Sequence, residues 1–577
     1  MHIPMTGERH NPIARLREDA RPGLAGLVAM SFAINLMMFA GPLYMLQVYD
    51  RVIASGSLET LAVLSLALVG VFAAQAWLDS QRMCLMSRIG QLIDGHLRSP
   101  AHAAVIRYTV AGLPAQDATR PVLDLDVLRR FATGQGPTVL ADLPWAPLFL
   151  ITCFLLHPWI GALALGGAVL LLGIGVAADR AARRYEMADA QDAARRASLT
   201  EEIRRNAETA AALNMEGSFG PRFEATGPAD MAAADRFAMW TALSRAARLG
   251  LQSAVLGLGA VLVIQNEMNA GAMIAASILT GRALQPAELA ITHWSAFQGA
   301  RAAYQRLQEA ITQLRITARP ASGQMPGQAL SVEALTVLAP HGRPVLNGLN
   351  FTLQAGDILG IAGPSGSGKT CLTRVLAGLW RPVRGAVRVD GAEVRPFSDS
   401  AGGPGFGYLA QEAGLFSGSV AENIARMDPN PNMEAVMKAA KDAGVHDMIQ
   451  RLEGGYNCQV GPAGTALSGG QRQRIGLARA LYGEPSIVIL DEPNANLDQA
   501  GEAALSQTLE RLRKRGAIAV IVAHRMQALA ACNKLLILEN GQQKHFGPRQ
   551  DVIAQLRGAR SSGGVVALHP HKQGALT

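Results

Sequence analysis

The polarity of this chain changes character twice. Long apolar runs recur near residues 23–48, 58–78, 138–156, 159–178, 247–265 and 270–290. Each approaches the roughly 20 mostly apolar residues that a membrane-spanning helix needs. The third and fourth runs meet at His157-Pro158, which predicts a tight hairpin. Between the second and third lies a polar segment with Arg82, Arg88, Arg98, Arg107, Arg120, Arg129 and Arg130, and between the fourth and fifth another with Arg180, Arg183, Arg184, Arg195 and Arg196. Arginine-rich connections stay in the cytoplasm, whereas the connections on the other side are short and nearly uncharged, so the two signals give one topology. The segment EEIRRNAETAAALNMEGSF keeps helical character without being apolar. The predicted helices therefore run on past the bilayer as two long cytoplasmic hairpins.

After Leu314 the stretch RITARPASGQMPGQAL, rich in Pro, Gly and Ser, reads as a linker. From Ser331 strands and helices alternate, as in FTLQAG, DILGIAG and PSIVILDEP, which predicts a parallel-sheet α/β domain. The expected organisation is a cytoplasmic N-terminal segment over 1–22, a six-helix transmembrane domain over 23–314, a linker over 315–330, an α/β domain over 331–558 and an aperiodic, disordered tail over 559–577.

Composition supports this division. In 577 residues, 49% are hydrophobic and only 17% charged, and mean hydropathy is positive, so part of the chain belongs in lipid. The net charge of +8 is scattered over many loops and builds no basic block with interleaved aromatics, which argues against nucleic-acid binding. The five cysteines, Cys84, Cys153, Cys371, Cys458 and Cys532, form no CxxC pair and no zinc-spaced set.

The chemistry lies in the second half. GPSGSGKT comprises Gly363, Pro364, Ser365, Gly366, Ser367, Gly368, Lys369 and Thr370; it follows the strand ILGIA and opens the helix TCLTRVLAGL, the context a P-loop requires. Backbone N–H groups of the glycine-rich turn wrap phosphates, Lys369 reaches the β and γ oxygens of ATP, and the Thr370 hydroxyl is placed to ligate Mg2+. Downstream, the apolar strand IVILDEP ends in Asp491 and Glu492. That pair suits a magnesium-holding carboxylate followed by one that polarises the attacking water.

Between them stands LSGGQRQRIGLARAL, Leu467 to Leu481, and here the chain resembles the ATP-binding cassette superfamily. Ser468, Gly469, Gly470 and Gln471 match that family's signature motif, which presents helix N-terminal dipoles to a γ-phosphate held by the opposite subunit. The resemblance implies a homodimer. It also implies a Q-loop at Gln411 in YLAQE, near water and metal, a D-loop over Asn496-Leu497-Asp498, and a switch histidine at His524 in IVAHR. The order of these motifs predicts a hydrolysing cassette using ATP and Mg2+, with Glu492, His524 and Gln411 at the chemistry. Two positions depart from the pattern. VLAPHG, with Leu338 and His341, stands where an adenine-stacking aromatic is usual, and Pro462 in CQVGPAG replaces a glutamate common in exporters.

The stretches GPLYMLQVYDRV, DLPWAPLFLITCFLLHPWIG, GRALQPAELAI and LYGEPSIVILDEPNANLD resemble a subgroup, the type I secretion permease/ATPases that export proteases, lipases and related repeat-rich proteins. The fold class expected is a membrane α-helical bundle of six transmembrane helices, ABC exporter type, followed by an α/β P-loop NTPase cassette. The resemblance implies ATP-driven export of a protein with a C-terminal secretion signal across the bacterial inner membrane, with both termini cytoplasmic. It implies as partners a periplasmic membrane-fusion protein, a TolC-like outer-membrane channel and the secreted protein. The alternative is an exporter of lipid or small hydrophobic molecules.

Three features outside the cassette remain. Arg282 in the sixth run falls either inside the bilayer, facing a translocation cavity beside Gln285 and Pro286, or at the cytoplasmic interface. Amphipathic stretches at Leu125 to Phe131 and Leu213 to Phe219 read either as coupling elements or as packing. FAGPLYMLQVYDRV ends the first run on the periplasmic side, where Tyr44, Tyr49, Asp50 and Arg51 mark the water boundary or Pro42 and Gln47 bend the helix around an exit route.

Overall fold

The computed structural model describes residues 11–225, 231–317, 327–339, 342–394, 405–461, 464–495, 499–523 and 528–561. The chain separates into two compact units that divide at Leu314 and Arg315. The first is built of helices. Four segments, Pro12–Ser55, Leu58–Val110, Gly136–Leu156 and Pro158–Arg180, and a fifth, Ala238–Ile264, are long and apolar enough to cross a membrane. The sixth predicted run forms the helix Ala270–Thr317, but Arg282, Gln285 and Pro286 lower its apolarity, and it does not join the other five by composition alone.

Length exceeds what a bilayer needs. The 53-residue helix Leu58–Val110 is about 80 Å long at 1.5 Å per residue, against a hydrocarbon core of about 30 Å. The helices Pro158–Arg205 and Ala270–Thr317, at 48 residues each, behave in the same way. At the hairpin, His157 closes the helix before it, its Nδ1 accepts from Trp159 N at 3.3 Å, and Pro158 occupies the first turn of the next helix, where a missing N–H costs nothing. His157 Nε2 lies 3.4 Å from Glu267, which joins this turn to the one before Ala270.

FAGPLYMLQVYDRV is not a simple helix end. Its last residues, Val48–Val52, form one π-helical turn, a deformation that widens the helix and redirects its side chains. There Asp50 Oδ1 accepts from Gly271 N at 2.9 Å and Oδ2 from Asn269 at 3.5 Å. Asp50 thus caps the N-terminus of Ala270–Thr317, placing a carboxylate against the positive end of that helix. Gly271 is required by the same contact, since a Cβ there would stand 2.7 Å from Leu46 O.

A partly buried polar cluster joins the first three membrane segments. Arg82 donates to both Asp142 oxygens at 3.1 and 3.0 Å and to Asp79 at 2.8 Å. Asn35, itself 2% exposed, donates to Asp142 at 3.0 Å and to Ser31 O at 2.8 Å. Removing one partner of such a pair strands the other charge. Arg82→Ala is therefore expected to destabilise the helical unit by about 3–5 kcal/mol, and Arg82→Leu with Asp142→Asn to recover much of that loss. Thermal unfolding of the full chain in mild detergent measures both; equal melting of Arg82→Ala and the parent would exclude the assignment.

Arg282 is half-buried, and its guanidinium donates to Gln285 Oε1 at 3.4 Å. Leu125 and Ala132 are buried in a core shared with Leu307 and Ile311, and the neighbouring Asp124 accepts from Arg306 at 2.9 and 2.5 Å. The first amphipathic stretch therefore packs its apolar face within the helical unit. Helix Glu216–Glu224 buries none of its residues, and Leu213 is exposed.

The second unit carries two sheets. An antiparallel sheet runs in the order β2-β1-β4-β5, with β1 Ala329–Leu338, β2 Pro344–Gln354, β4 Arg384–Val389 and β5 Ala392–Glu393. A six-stranded sheet runs in the order β10-β9-β3-β8-β7-β6, with β3 Ile358–Ala362, β6 Phe406–Leu409, β7 Ile487–Asp491, β8 Ile518–Val522, β9 Lys534–Glu539 and β10 Gln542–Pro548. Strands β9, β3, β8, β7 and β6 are parallel; β10 alone is antiparallel to its neighbour. All residues of β7 and β8 are buried, which explains why, up to Asp491, both are wholly apolar: a parallel strand covered on both faces has no polar side to present.

Candidate active site

Because β3 and β7 are parallel and flank β8, their carboxyl ends open on one edge of the sheet. Ligands of open parallel sheets gather at this edge. The turn after β3 needs its glycines: Gly366 and Gly368 have φ of 79° and 96°, and a Cβ on Gly368 would stand 2.7 Å from Leu346. Helix Lys369–Leu376 follows at once. Lys369 is buried, and its ammonium donates to Gly363 O at 3.0 Å and Pro364 O at 2.8 Å. Burial lowers the Lys369 pKa, while Glu492 and Asp491 pull it back up. The Ser367 hydroxyl is buried with no hydrogen-bond partner, and Ser365 is exposed at the rim.

Asp491, at 0% exposure, ends β7. One carboxylate oxygen accepts from Thr373 Oγ1 at 3.1 Å, while the other, Oδ1, has no hydrogen-bond partner. Burial pushes this carboxyl above its ordinary range, and hydrogen bonds from Thr373 and Thr370 pull it back. An orphaned carboxylate oxygen beside a threonine hydroxyl is an all-oxygen donor set, which fits Mg2+. No cluster of three or more His, Cys, Asp or Glu is present among the described residues.

Glu492 follows with φ of 49°, left-handed for a non-glycine residue, a conformation that costs of order 1 kcal/mol and turns its side chain out of the strand. Gln411 Nε2 donates to Glu492 Oε2 at 3.2 Å. This leaves the Gln411 carbonyl oxygen available as an acceptor or ligand. The Asp491–Glu492 end and the Gln411 loop thus meet although 81 residues separate the contacting pair.

The signature stretch starts the helix Gly469–Leu481 with a reciprocal cap. Ser468 N donates to Gln471 Oε1 at 2.8 Å and Gln471 N to Ser468 Oγ at 3.3 Å. Arg472 ties the preceding loop by donating to Leu467 O at 2.7 Å and Gly464 O at 3.3 Å. A cleft of about 390 Å³ opens between this first turn and the Gln411 loop.

His524 and the stretch Asn496-Leu497-Asp498 lie outside the described residues, as do His341 and Pro462. Leu338, at the end of β1, is 38% exposed. Two contacts were absent from the sequence reading. Thr373 holds Asp491, and Gln473, 2% exposed, donates to the Glu492 carbonyl at 3.4 Å. The available signal for Gln473 was its place on the buried stripe of its helix, one turn before Leu477, since a polar side chain there must satisfy its amide.

Comparison with known proteins assigns both halves. The ABC transporter transmembrane region model matches residues 24–285, and the ABC transporter model residues 346–495. The type I secretion system ATP-binding protein PrsD of Rhizobium meliloti (strain 1021) is 38% identical, over 95% of this chain and 95% of its own. The cyclolysin secretion/processing ATP-binding protein CyaB of Bordetella pertussis is 28% identical over 92% of this chain and 75% of its own. The toxin RTX-I translocation ATP-binding protein of Actinobacillus pleuropneumoniae is 27% identical, over 92% and 76%. A bacterial Atm1-family ABC exporter solved with ATP bound superposes with a TM-score of 0.77, covering 95% of this chain and 99% of that one at 20% identity; it shares the fold.

Proposed function

Because this chain belongs to the ABC transporters, and within them to the ATP-binding proteins of type I secretion systems, we propose that it drives a protein passenger across the bacterial inner membrane at the expense of ATP. It is a multi-pass membrane protein and an ATPase coupled to transport. The observation that carries the reading is the meeting of the P-loop, Asp491, Gln411 and Glu492 on one sheet edge, in a chain similar end to end to a secretion ATPase.

The chemistry follows from positions. ATP phosphates enter the turn over Gly363 to Thr370, where N–H groups and the Lys369 ammonium replace their water. Asp491, Thr370 and Gln411 would hold Mg2+, which when bound neutralises charge on the β and γ oxygens. Glu492 orients the attacking water and accepts its proton, steadied by the Gln411 amide. The family pattern gives His524 the role of sensing the γ-phosphate and Asp498 a role across the dimer. Ser468, Gly469, Gly470 and Gln471 close over the nucleotide of the second copy, so the working unit is a homodimer. Closing the cassettes on ATP and releasing them after hydrolysis alternates the access of the membrane helices.

The passenger carries a C-terminal secretion signal and leaves through a periplasmic membrane-fusion protein and a TolC-like channel. Cassette and both termini face the cytoplasm. Arg282 lines the route, and the π-helical turn at Asp50 faces the exit. Co-expression with a fusion protein, a channel and a glycine/aspartate-rich repeat passenger tests this. The intact passenger should appear outside the cell and one lacking its C-terminal segment should remain inside; retention of both would refute it.

A further inference from the structure

Two glutamines from different elements hold Glu492. Gln411 reaches its carboxylate at 3.2 Å, and Gln473 reaches its main-chain oxygen at 3.4 Å. Gln473 stands one helical turn after Gly469, on the helix whose first turn is the signature motif. An α-helix transmits displacement of its first turn to its second nearly rigidly, so a shift of Ser468 to Gln471 moves the Gln473 amide with it.

The receiving end is sensitive. Glu492 holds a left-handed backbone with φ of 49°, which only surrounding contacts can maintain. Its N–H donates to Val522 O at 3.1 Å, and its carbonyl accepts from Ala495 N at 3.1 Å and from Gln473. The first of these contacts belongs to the sheet and the second to the local turn. Gln473 brings in the signature helix, and at 2% exposure its amide has no water to fall back on.

We propose that Gln473 is a positioning residue that reports the state of the signature helix to Glu492 of the same chain, so that the two nucleotide sites of the dimer hydrolyse cooperatively. The signature of one copy closes on the nucleotide of the other, while Glu492 acts on its own. The Gln473 bond therefore joins the reader of one site to the base of the other. This inference rests on the assignment of Glu492 as the base and of Leu467 to Gln471 as the trans-acting signature.

The test uses the full-length dimer in lipid nanodiscs. Gln473→Met keeps length and burial but has no donor; Gln473→Glu keeps shape and presents acceptors; Gln473→His restores an N–H. Turnover, the Hill coefficient for ATP, and ATP affinity in a Glu492→Gln background are measured for each. Gln473→Met and Gln473→Glu should lower turnover about tenfold, the scale of one lost hydrogen bond. They should bring a parental Hill coefficient above 1 down to about 1 and leave affinity within about twofold. Gln473→His should regain part of both losses. Unchanged turnover and Hill coefficient in Gln473→Met would overturn the inference, as would a parental Hill coefficient of 1 or a parallel loss of turnover and affinity. If Glu492→Gln itself hydrolyses ATP, the underlying site assignment fails. If Glu492→Gln is inactive while Gln473→Met matches the parent, only the role of Gln473 fails.

Discussion

Glu492→Gln should lower ATP turnover by about two to four orders of magnitude, the contribution of a positioned general base, while ATP still binds. The substitution is nearly isosteric, and the backbone bonds to Val522 and Ala495 do not involve the side chain. What is lost is the carboxylate that accepts the proton, together with the charge that the Gln411 amide supports. Lys369 and Asp491, the proposed holders of phosphate and ion, are unchanged, so nucleotide should stay on the protein and the closed dimer should accumulate. Steady-state hydrolysis together with retention of labelled nucleotide on the full-length protein checks both halves. Turnover within a factor of about three of the parent would remove Glu492 from the base position.

Lys369→Ala should act one step earlier and strongly weaken nucleotide binding. The ammonium is buried against Gly363 O and Pro364 O, and the same donors serve phosphate oxygens when ATP enters. Each charge-assisted bond contributes about 1.5–3 kcal/mol, so loss of two weakens ATP binding by about two to four orders of magnitude. Equilibrium binding of ATP to the purified chain measures the loss directly. An affinity within a factor of about five of the parent would mean that the lysine only braces the loop. The contrast between the variants is diagnostic: Glu492→Gln binds without turning over, and Lys369→Ala is weakened in both.

The phosphate cradle was legible because its chemistry is local. GPSGSGKT must sit between a buried strand and a helix, and β3 and Lys369–Leu376 are those elements. The alternation of apolar runs and arginine-rich segments likewise marked the helical unit, whose long helices exceed a bilayer's thickness as their polar continuations suggested. What could not be read were pairings between distant residues. Asp50 meets Gly271 across 221 positions and Arg82 meets Asp142 across 60, and although both acids stand in family-like stretches, nothing in those stretches names their partners. The sixth run was harder for a physical reason. A helix that carries Arg282, Gln285 and Pro286 inside its apolar stretch dilutes the periodic and compositional signals by which spans are found. Gln473 was hidden within a stretch whose neighbours attract attention, and only its burial against Glu492 distinguishes it.

The central claim is that hydrolysis at Glu492 powers export of a protein. It is tested most directly in cells co-producing this chain, a fusion protein, an outer-membrane channel and a repeat-rich passenger, by comparing extracellular passenger for the parent and Glu492→Gln at equal membrane abundance. The account predicts abundant passenger outside with the parent and, with Glu492→Gln, passenger retained in the cell. Equal extracellular passenger in the two strains would contradict it.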